Sequence, residues 1–330
     1  MDARLGKLLA RLRDNWLELA LLGLLLIVLL WLGRAGRDVW ERVRPEPTPA
    51  PAPAITAVSG ATLAFDGLRA QGVASFITAL GARVAGSEAH AVTAQRIVQE
   101  LNDSGWQVEV QEFTSENGGI RRNIVAKTGT DPLLLLATHY DTSPITGREA
   151  DPARRSQPSP GANDGASGVA VLLELAKSLD KTRIHDGVWL VFLDGQYAAD
   201  GTPVAEGTQA LATAISQQGA SVRAAVLVDL LGGSNDRFSL NPASDAALAG
   251  ELMATARSLS YEDWFAPAAS NDYMLGQAVL AAQGIPTAVL AGQNYLYWQT
   301  TQDTLDKLSS TSLLRVGRVL EEFIYIQSQQ

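Results

Sequence analysis

The chain has 330 residues, of which 46% are hydrophobic and 18% are charged, and it contains no cysteine. This composition excludes a disordered or fibrous chain, and the lack of cysteine excludes disulfides, thiolate metal sites and a cysteine nucleophile. The charge is asymmetric, because residues 1–44 carry 8 basic and 5 acidic side chains whereas the remainder carries 18 and 30. An acidic body repels phosphate, so we expect no nucleic-acid partner.

A basic segment, residues 1–15, precedes an apolar run that extends to residue 33 and whose single charge is Glu18. A helix over this run spans about 28 Å, close to the thickness of the hydrocarbon core of a bilayer. Trp16 and Trp31 stand near its two ends, where the membrane interface favours aromatic rings. We therefore predict a transmembrane anchor helix over residues 16–33, in contact with membrane lipid. No small-residue cleavage site follows closely, which argues against a signal peptide.

Residues 34–60 are predicted to form a juxtamembrane segment and a linker rich in proline and alanine. Proline occupies every second position from 45 to 53, which favours an extended polyproline II rod that holds a domain away from the membrane. Four basic residues stand on each side of the apolar run, so the positive-inside rule does not decide the orientation. The rod favours a single-pass protein with a cytoplasmic N-terminus and an extracytoplasmic C-terminal domain.

Residues 61–330 are predicted to form one domain in which strands and helices alternate. SEAHAVTAQRIVQELNDSG has the spacing of an amphipathic helix, and WQVEVQEF alternates like a half-buried strand. PLLLLATHY and GVWLVFLD are continuous apolar runs, typical of central strands that are covered on both faces. Further helices are predicted at 168–179, 206–218, 243–258 and 310–328. The pattern predicts a three-layer α/β/α sandwich around a mostly parallel central sheet.

Side chains suited to metal chemistry follow the predicted strands. They are His139 and Asp141 after PLLLLAT, Asp164 in the loop GANDGASG, Asp194, Gln196 and Tyr197 after GVWLVFL, and Asp229 after AAVLV. The carboxyl ends of neighbouring parallel strands meet at one edge of a sheet, and one histidine with several carboxylates is the composition of a zinc site. Acidic residues at strand ends also cap helices, and Asp164 could serve as the N-cap of the next helix.

Four segments carry a resemblance to a known family: ATHYDTSP, PGANDGASGVAVLLELAKSL, VWLVFLDG and YWQTTQDTLDKLS. Together they resemble the zinc aminopeptidase and glutaminyl cyclase superfamily, and the resemblance extends over roughly residues 62–328. It implies an aminopeptidase-like fold for the whole chain downstream of the linker.

The resemblance also implies roles for individual residues. Its aminopeptidases hold two zinc ions bridged by an aspartate, which is Asp164 here, and one of these ions also takes the residues that match His139 and Asp229. The second ion takes an acidic residue and a histidine whose places are held here by Tyr197 and Gln299. Glutaminyl cyclases of the superfamily use a single zinc at this second position. The general-base glutamate is replaced here by Gln196.

These replacements remove chemistry that hydrolysis needs. A glutamine amide cannot accept a proton near neutral pH, and loss of a general base typically costs about 10²–10⁴-fold in rate. A tyrosine, with a reference pKa of about 10, is a poor substitute for a carboxylate ligand. We therefore expect no intact catalytic residue. The surviving trio would hold either one Zn²⁺ or no metal, with Asp141 or Asp194 supporting the histidine ring from behind.

Tyr295, Tyr297 and Trp298 lie close together in the sequence near the presumed mouth of the site. They would line an apolar pocket for a peptide end or a partner side chain, or else fill the core. We expect a catalytically inactive pseudoenzyme with a binding or scaffold role, as an accessory subunit bound to a protein partner in a membrane complex. The alternative is a metal-dependent aminopeptidase that hydrolyses peptide N-termini with one metal at the surviving trio.

Overall fold

The computed structural model describes residues 59–234, 237–266 and 276–328, all of which lie in one structural unit, Ala54–Gln330. The predicted basic segment 1–15, the predicted anchor helix 16–33 and the linker up to residue 58 lie outside the described residues. Within the described ranges, no helix is both long enough and apolar enough to cross a membrane.

Eight strands form a single sheet. In chain order they are β1 (Gln107–Thr114), β2 (Ile120–Thr128), β3 (Thr130–His139), β4 (Asp186–Leu193), β5 (Val222–Asp229), β6 (Phe238–Leu240), β7 (Phe265–Ala266) and β8 (Thr287–Gly292). β3, β4 and β5 correspond to the continuous apolar runs, and they are buried along most of their length.

The described residues also form seven α-helices. They are α1 (Gly67–Ala79), α2 (Glu88–Asp103), α3 (Ala166–Ser178), α4 (Glu206–Gln218), α5 (Ala246–Ser258), α6 (Gln277–Ala282) and α7 (Ser310–Gln327). Several begin where a side chain caps free backbone N–H groups, as Ser87 does for α2 and Ser309 for α7.

The strand order across the sheet is β1-β2-β4-β3-β5-β8-β6-β7. The four central strands, β4, β3, β5 and β8, run parallel to one another, as the sequence predicts. β1 pairs antiparallel with β2, β2 with β4, and β6 with β8. The sheet is therefore mixed, with parallel pairing in the centre and between the two short edge strands β6 and β7. β1 and β2 are joined by a turn of only a few residues, which permits only antiparallel pairing.

Helices cover both faces of the sheet. Alternate side chains of β3 enter two separate cores: Leu134 and Leu136 pack in the larger one, Leu133 and Leu135 in the smaller one. Helices α1, α2, α3, α5 and α7 contribute to the larger core, and α4 and α6 contribute to the smaller one. Burial on both faces explains why the central strands are apolar without alternation.

This topology fixes where chemistry can occur. β3 and β5 are parallel neighbours that end at His139 and Asp229, and β3 is paired on its other side with β4 so that His139 lies opposite Leu193. The loop that contains Asp164 precedes α3, which packs on the same strands. The polar side chains that follow the strands therefore meet at one edge of the sheet.

Candidate metal centre

Three fully buried side chains converge where β3 and β5 end: His139, Asp164 and Asp229. One ligand atom from each lies within 4.8 Å of the others. The imidazole Nε2 of His139 is 3.2 Å from Oδ1 of Asp164 and 3.4 Å from Oδ1 of Asp229. The structure thus brings together the trio that the sequence proposed as a metal site.

The trio leaves buried polar atoms unsatisfied. Among the described residues, Nε2 of His139, Oδ1 of Asp164 and Oδ2 of Asp229 have no hydrogen-bond partner. Burying a polar atom without a partner costs about 1–3 kcal/mol, and more for a charged group. One imidazole nitrogen and two carboxylates are ligands that suit Zn²⁺. The three residues therefore fit a zinc ion. Their side chains are suitable ligands, and each has one nitrogen or oxygen atom without a hydrogen-bond partner in the described part of the chain.

Asp164 does not cap the following helix. The N-cap position of α3 is Gly165, which has a φ of 91° and makes no side-chain capping bond. A Cβ on this glycine would lie 3.2 Å from Cε1 of His139 and 3.1 Å from the Asp141 carbonyl oxygen. Glycine is required here both by the positive φ and by the close approach of the imidazole. The Asp164 side chain is thereby left to point into the site.

Electrostatics favours a positive charge at the centre of the trio. Burial alone lowers the pKa of His139, but the negative charge of Asp229 and the contacts with the neighbouring carboxylates outweigh it and raise that pKa well above 6.5. Burial raises the pKa of Asp229, against the charge of His139. The neighbouring carboxylates therefore favour a proton on His139 when no metal ion is bound, and an ion that binds here must displace that proton.

Asp141 supports the histidine ring. Nδ1 of His139 is 3.0 Å from the backbone oxygen of Asp141 and 3.5 Å from its carboxylate Oδ1. The other carboxylate oxygen accepts hydrogen bonds from the backbone N–H groups of Gln196 and Tyr197, at 2.9 and 3.2 Å. Asp141 therefore links the loop after β3 to the loop after β4 and fixes the orientation of the imidazole.

Asp194, the other residue proposed to hold that ring, serves a different histidine. Its Oδ1 lies 2.9 Å from Nε2 of His90 on α2, and its Oδ2 accepts hydrogen bonds from the Tyr140 hydroxyl and the Arg122 backbone N–H. The side chain turns toward α2 and away from the trio. His90 is stacked on Tyr140 with ring centroids 4.9 Å apart.

Tyr197 fills the second side of Asp164. Its hydroxyl donates a hydrogen bond of 2.7 Å to Oδ2 of Asp164 and accepts one of 3.2 Å from Nε1 of Trp298. Burial and the negative charge of Asp164 raise the pKa of Tyr197 well above 10. The residue is therefore a neutral phenol that donates a hydrogen bond to Oδ2 of Asp164, whereas Oδ1 is the oxygen next to His139.

The two glutamines contribute neutral amides. Gln196 is buried beside Tyr197. Gln299 is also buried, and its amide nitrogen donates to the Gly201 carbonyl oxygen at 3.2 Å. Its backbone has a φ of 51°, in the left-handed region, and its carbonyl oxygen accepts from the Arg148 N–H. Neither side chain can carry the negative charge of a carboxylate or coordinate a metal as an imidazole does.

The three aromatic residues of the QNYLYWQT segment are placed differently. Tyr295 and Trp298 are buried and pack with Leu230, whereas Tyr297 is only half-buried. Tyr295 also donates a hydrogen bond of 2.7 Å to the carboxylate of Asp303. The guanidinium of Arg148 lies over the Trp298 ring, 5.0 Å from its centre.

Two residues that sequence reasoning missed hold the Asp164 loop. Asp303 accepts the backbone N–H groups of Asn163 and Asp164, at 2.8 and 3.0 Å, and burial with the charge of Asp164 raises its pKa to about 7. Arg83 is fully buried and donates to four backbone oxygens, including that of Asp164 at 3.1 Å. Asp303 lies within the YWQTTQDT motif, which was a usable signal, but Arg83 lies outside every motif.

Comparison with known proteins supports this description. The family model of peptidase family M28 matches residues 123–324. The chain is 37% identical over 113 residues to an uncharacterized protein, YfbL, of Escherichia coli (strain K12). This alignment covers 34% of this chain and 32% of that protein. It is 31% identical over 174 residues to a glutaminyl-peptide cyclotransferase of Drosophila melanogaster, with coverage of 47% and 46%. The chain thus aligns with less than half the length of either relative.

Solved structures match over a larger share. A Bacteroides thetaiotaomicron glutaminyl cyclase bound to N-acetylhistamine superposes with a TM-score of 0.72 at 25% identity, covering 79% of this chain and 98% of that one. A Zn-dependent exopeptidase from Parabacteroides distasonis gives a TM-score of 0.69 at 26% identity, with the same coverage. The chain is therefore similar both to a cyclase and to an exopeptidase.

Proposed function

This chain belongs to peptidase family M28, and we propose that its domain is a catalytically inactive member that binds or scaffolds a protein partner. We further propose that residues 16–33 anchor it in a membrane, with the N-terminus in the cytoplasm and the domain outside. In this arrangement it would act as an accessory subunit of a membrane complex, and it could also bind a peptide.

The observation that carries the proposal is the hydrogen bond from the Tyr197 hydroxyl to Oδ2 of Asp164, at 2.7 Å. In the family that the sequence resembles, this aspartate bridges two metal ions. Here Oδ2 of Asp164 already accepts a hydrogen bond from the neutral phenol of Tyr197, which in turn accepts one from the indole N–H of Trp298. To bind this oxygen, a second cation would have to displace the buried hydroxyl of Tyr197, and the neutral phenol has no negative charge with which to bind the cation.

The position of the general base supports the same conclusion. Gln196 is buried at that position, and its amide cannot take a proton from water or from a substrate amine. Its backbone N–H is bonded to Asp141, so the loop keeps its place while the chemistry of the side chain is changed. We infer that the scaffold of the site has been retained and that its reaction has been lost.

One metal site remains compatible with this role. His139, Asp164 and Asp229 would hold a single zinc ion, which supplies a Lewis acid and a structural cross-link between the loops when it is bound. This chain's own residues prepare that site: Asp141 orients the imidazole, and Asp303 and Arg83 hold the Asp164 loop.

The test is turnover by the full chain, purified in detergent micelles, with and without zinc. Suitable substrates are aminoacyl 4-nitroanilides for aminopeptidase activity and a peptide with an N-terminal glutamine for cyclisation. We expect rates no higher than those of the Asp164→Asn variant under the same conditions. Zinc-dependent turnover that this variant abolishes would overturn the proposal.

A second candidate function is a metal-dependent aminopeptidase that uses one ion. It is favoured by the ligand atoms of the trio, because they lack hydrogen-bond partners within the described residues and lie close enough together to bind one cation. This enzyme would need a base other than Gln196. The pH dependence of the turnover rate separates the two functions. The rate of an active enzyme changes with pH through at least one ionisation, and this dependence is absent from the Asp164→Asn variant.

A further inference from the structure

The two edges of the sheet differ in their exposure to strand pairing. β7 ends the sheet on one side with two residues, whereas β1 ends it on the other side with eight. Proteins protect sheet edges with short strands, proline, lysine or bulges. β1 contains neither proline nor lysine, and it pairs with β2 in unbroken register from Gln107 to Thr114. Within the described part of the chain, no strand pairs with its outer edge.

Cavities flank this edge on both faces of the sheet. One of about 740 Å³ lies between β1, β2 and α2 and includes Val110 of β1. Another of about 620 Å³ lies between β1 and α4 and includes the β1 residues from Gln111 to Thr114. A strand added beside β1 would direct its side chains alternately to the two faces and therefore alternately toward these cavities.

The cavity on the α2 side is lined by apolar side chains together with polar ones, and it includes the imidazole of His90. α2 lines it from His90 to Asp103, a distance of about 20 Å at 1.5 Å per residue. Ala94, Val98 and Val110 are among its apolar residues, and 45% of the Val110 surface is exposed. The His90 side chain is only 9% exposed, and its Nε2 is bonded to Asp194.

The cavity on the α4 side is acidic. Glu112, Glu116 and Glu206 line it, and neither lysine nor arginine does. Glu112 is paired with Arg122 at 2.8 Å, but Glu116 and Glu206 have no ion-pair partner in the part of the chain that the structure describes. Glu206 accepts the backbone N–H of Glu116, which holds the two residues together. Net negative charge therefore remains on this face.

We propose that the outer edge of β1 accepts an extended segment of a partner protein as a ninth strand. The segment alternates apolar and basic residues, so that apolar side chains enter the α2 cavity and lysine or arginine side chains meet Glu116 and Glu206. Main-chain hydrogen bonds to β1 supply affinity, and the two cavities supply specificity. A second copy of this chain fits less well, because it brings the same uncompensated carboxylates.

This inference goes beyond the proposed function and does not depend on the metal centre. It stands equally if the domain is found to hydrolyse peptides, because neither cavity contains a residue of the trio. A failure of one proposal can therefore be distinguished from a failure of the other.

The first test uses an eight-residue peptide of alternating valine and lysine, added to the full chain in detergent micelles. We expect it to bind at least tenfold more tightly than an alternating valine–glutamate peptide or a valine-block, lysine-block peptide of the same composition. Hydrogen exchange of the amides at 107–114 should slow on binding. Equal affinity for the block peptide, or unchanged exchange in β1, would show that no strand is added there.

Backbone methylation of the peptide isolates strand pairing from charge. In a strand, successive N–H groups point to opposite sides. N-methylation of one alternate set should therefore abolish binding, and methylation of the other set should leave it unchanged. Equal effects of the two sets would contradict a strand geometry.

Protein variants test the acidic side. The Glu116→Gln, Glu206→Gln double variant should weaken binding roughly tenfold at low salt, the effect of losing two partly exposed ion pairs. Glu262→Gln, the same change near the opposite edge, should leave binding unchanged. If the protein instead dimerises in a concentration-dependent way and Val110→Lys prevents this, the edge belongs to a second copy and the proposal of a basic partner is wrong.

Discussion

The two halves of the candidate metal centre share Asp164 and are built from opposite chemistry. On one side, His139 and Asp229 present ligand atoms that no described group satisfies. On the other side, the Tyr197 hydroxyl donates to Asp164 and accepts from Trp298, so its bonding is complete. The side with His139 and Asp229 therefore requires a proton or a metal cation to balance its carboxylates, whereas the side with Tyr197 requires neither.

Under the proposed function, this difference is how a second metal position is lost while the fold is kept. A buried carboxylate oxygen needs a hydrogen-bond donor, and the phenol of Tyr197 supplies one to Asp164 at a normal hydrogen-bond distance. The neighbouring loop remains fixed through its backbone, because Asp141 binds two of its N–H groups.

The largest expected effect comes from rebuilding the second half. The triple variant Gln196→Glu, Tyr197→Asp, Gln299→His restores a base and two ligands, so we expect a second zinc equivalent and a rise in kcat/KM of about 10²–10⁴-fold. Metal content after zinc loading and dialysis, together with nitroanilide hydrolysis, measures both. The double variant without the Gln196 change should gain the metal but not the rate. A triple variant without additional metal would show that these positions do not form the second site.

Removal of the shared charge should disturb both halves. Asp164→Asn leaves the His139 imidazolium with one carboxylate fewer, and we expect the free energy of unfolding to fall by about 3 kcal/mol and retained zinc to be lost. Urea unfolding in chelator and metal analysis test this. Asp200→Asn, an exposed change of the same kind, should affect neither. Zinc retention by Asp164→Asn would remove this residue from the ligand set.

A smaller effect is expected in the closed half alone. Tyr197→Phe removes one hydroxyl, and with it the hydrogen bond to Oδ2 of Asp164 and the one accepted from Trp298, which should cost about 1–3 kcal/mol in metal-free protein. Tyr297→Phe is the matched control, and because that residue is half-exposed, its cost should stay within about 0.5 kcal/mol. Equal costs in urea unfolding would mean that the Tyr197 bond contributes no stability.

The smallest effect concerns the pH dependence of stability. Burial raises the pKa of Asp303 from its usual 3.8 to about 7 in the folded protein. The bound proton therefore contributes stability that is complete below about pH 4 and is lost as the pH rises through about 7. We expect Asp303→Asn to reduce the fall in Tm between pH 5 and 8 by about 2–4 °C. A parallel pH profile in both proteins would contradict this.

The sequence predicted those elements whose signal is local. The helix predicted at 206–218 has those bounds in the structure, and the one predicted at 168–179 is Ala166–Ser178. β2 was missed because it begins with IRRN and lacks a clear apolar alternation. β7 has only two residues, too few for any pattern to show. The antiparallel flanks of the sheet were missed as well, because strand direction depends on the path of the chain and not on the strand's own residues.

The sequence by itself determined the residue types at the site: a histidine and two aspartates that can hold a cation, beside two glutamines and a tyrosine that offer neither a carboxylate nor an imidazole. These are properties of side-chain chemistry and do not depend on packing. The tertiary structure decided what those side chains contact. It placed Asp141 behind His139 and turned Asp194 toward His90, and it set the Tyr197 hydroxyl against Asp164. It could do so because partners far apart in sequence meet only when the strands assemble and water is excluded, and burial then fixes which polar atoms must pair.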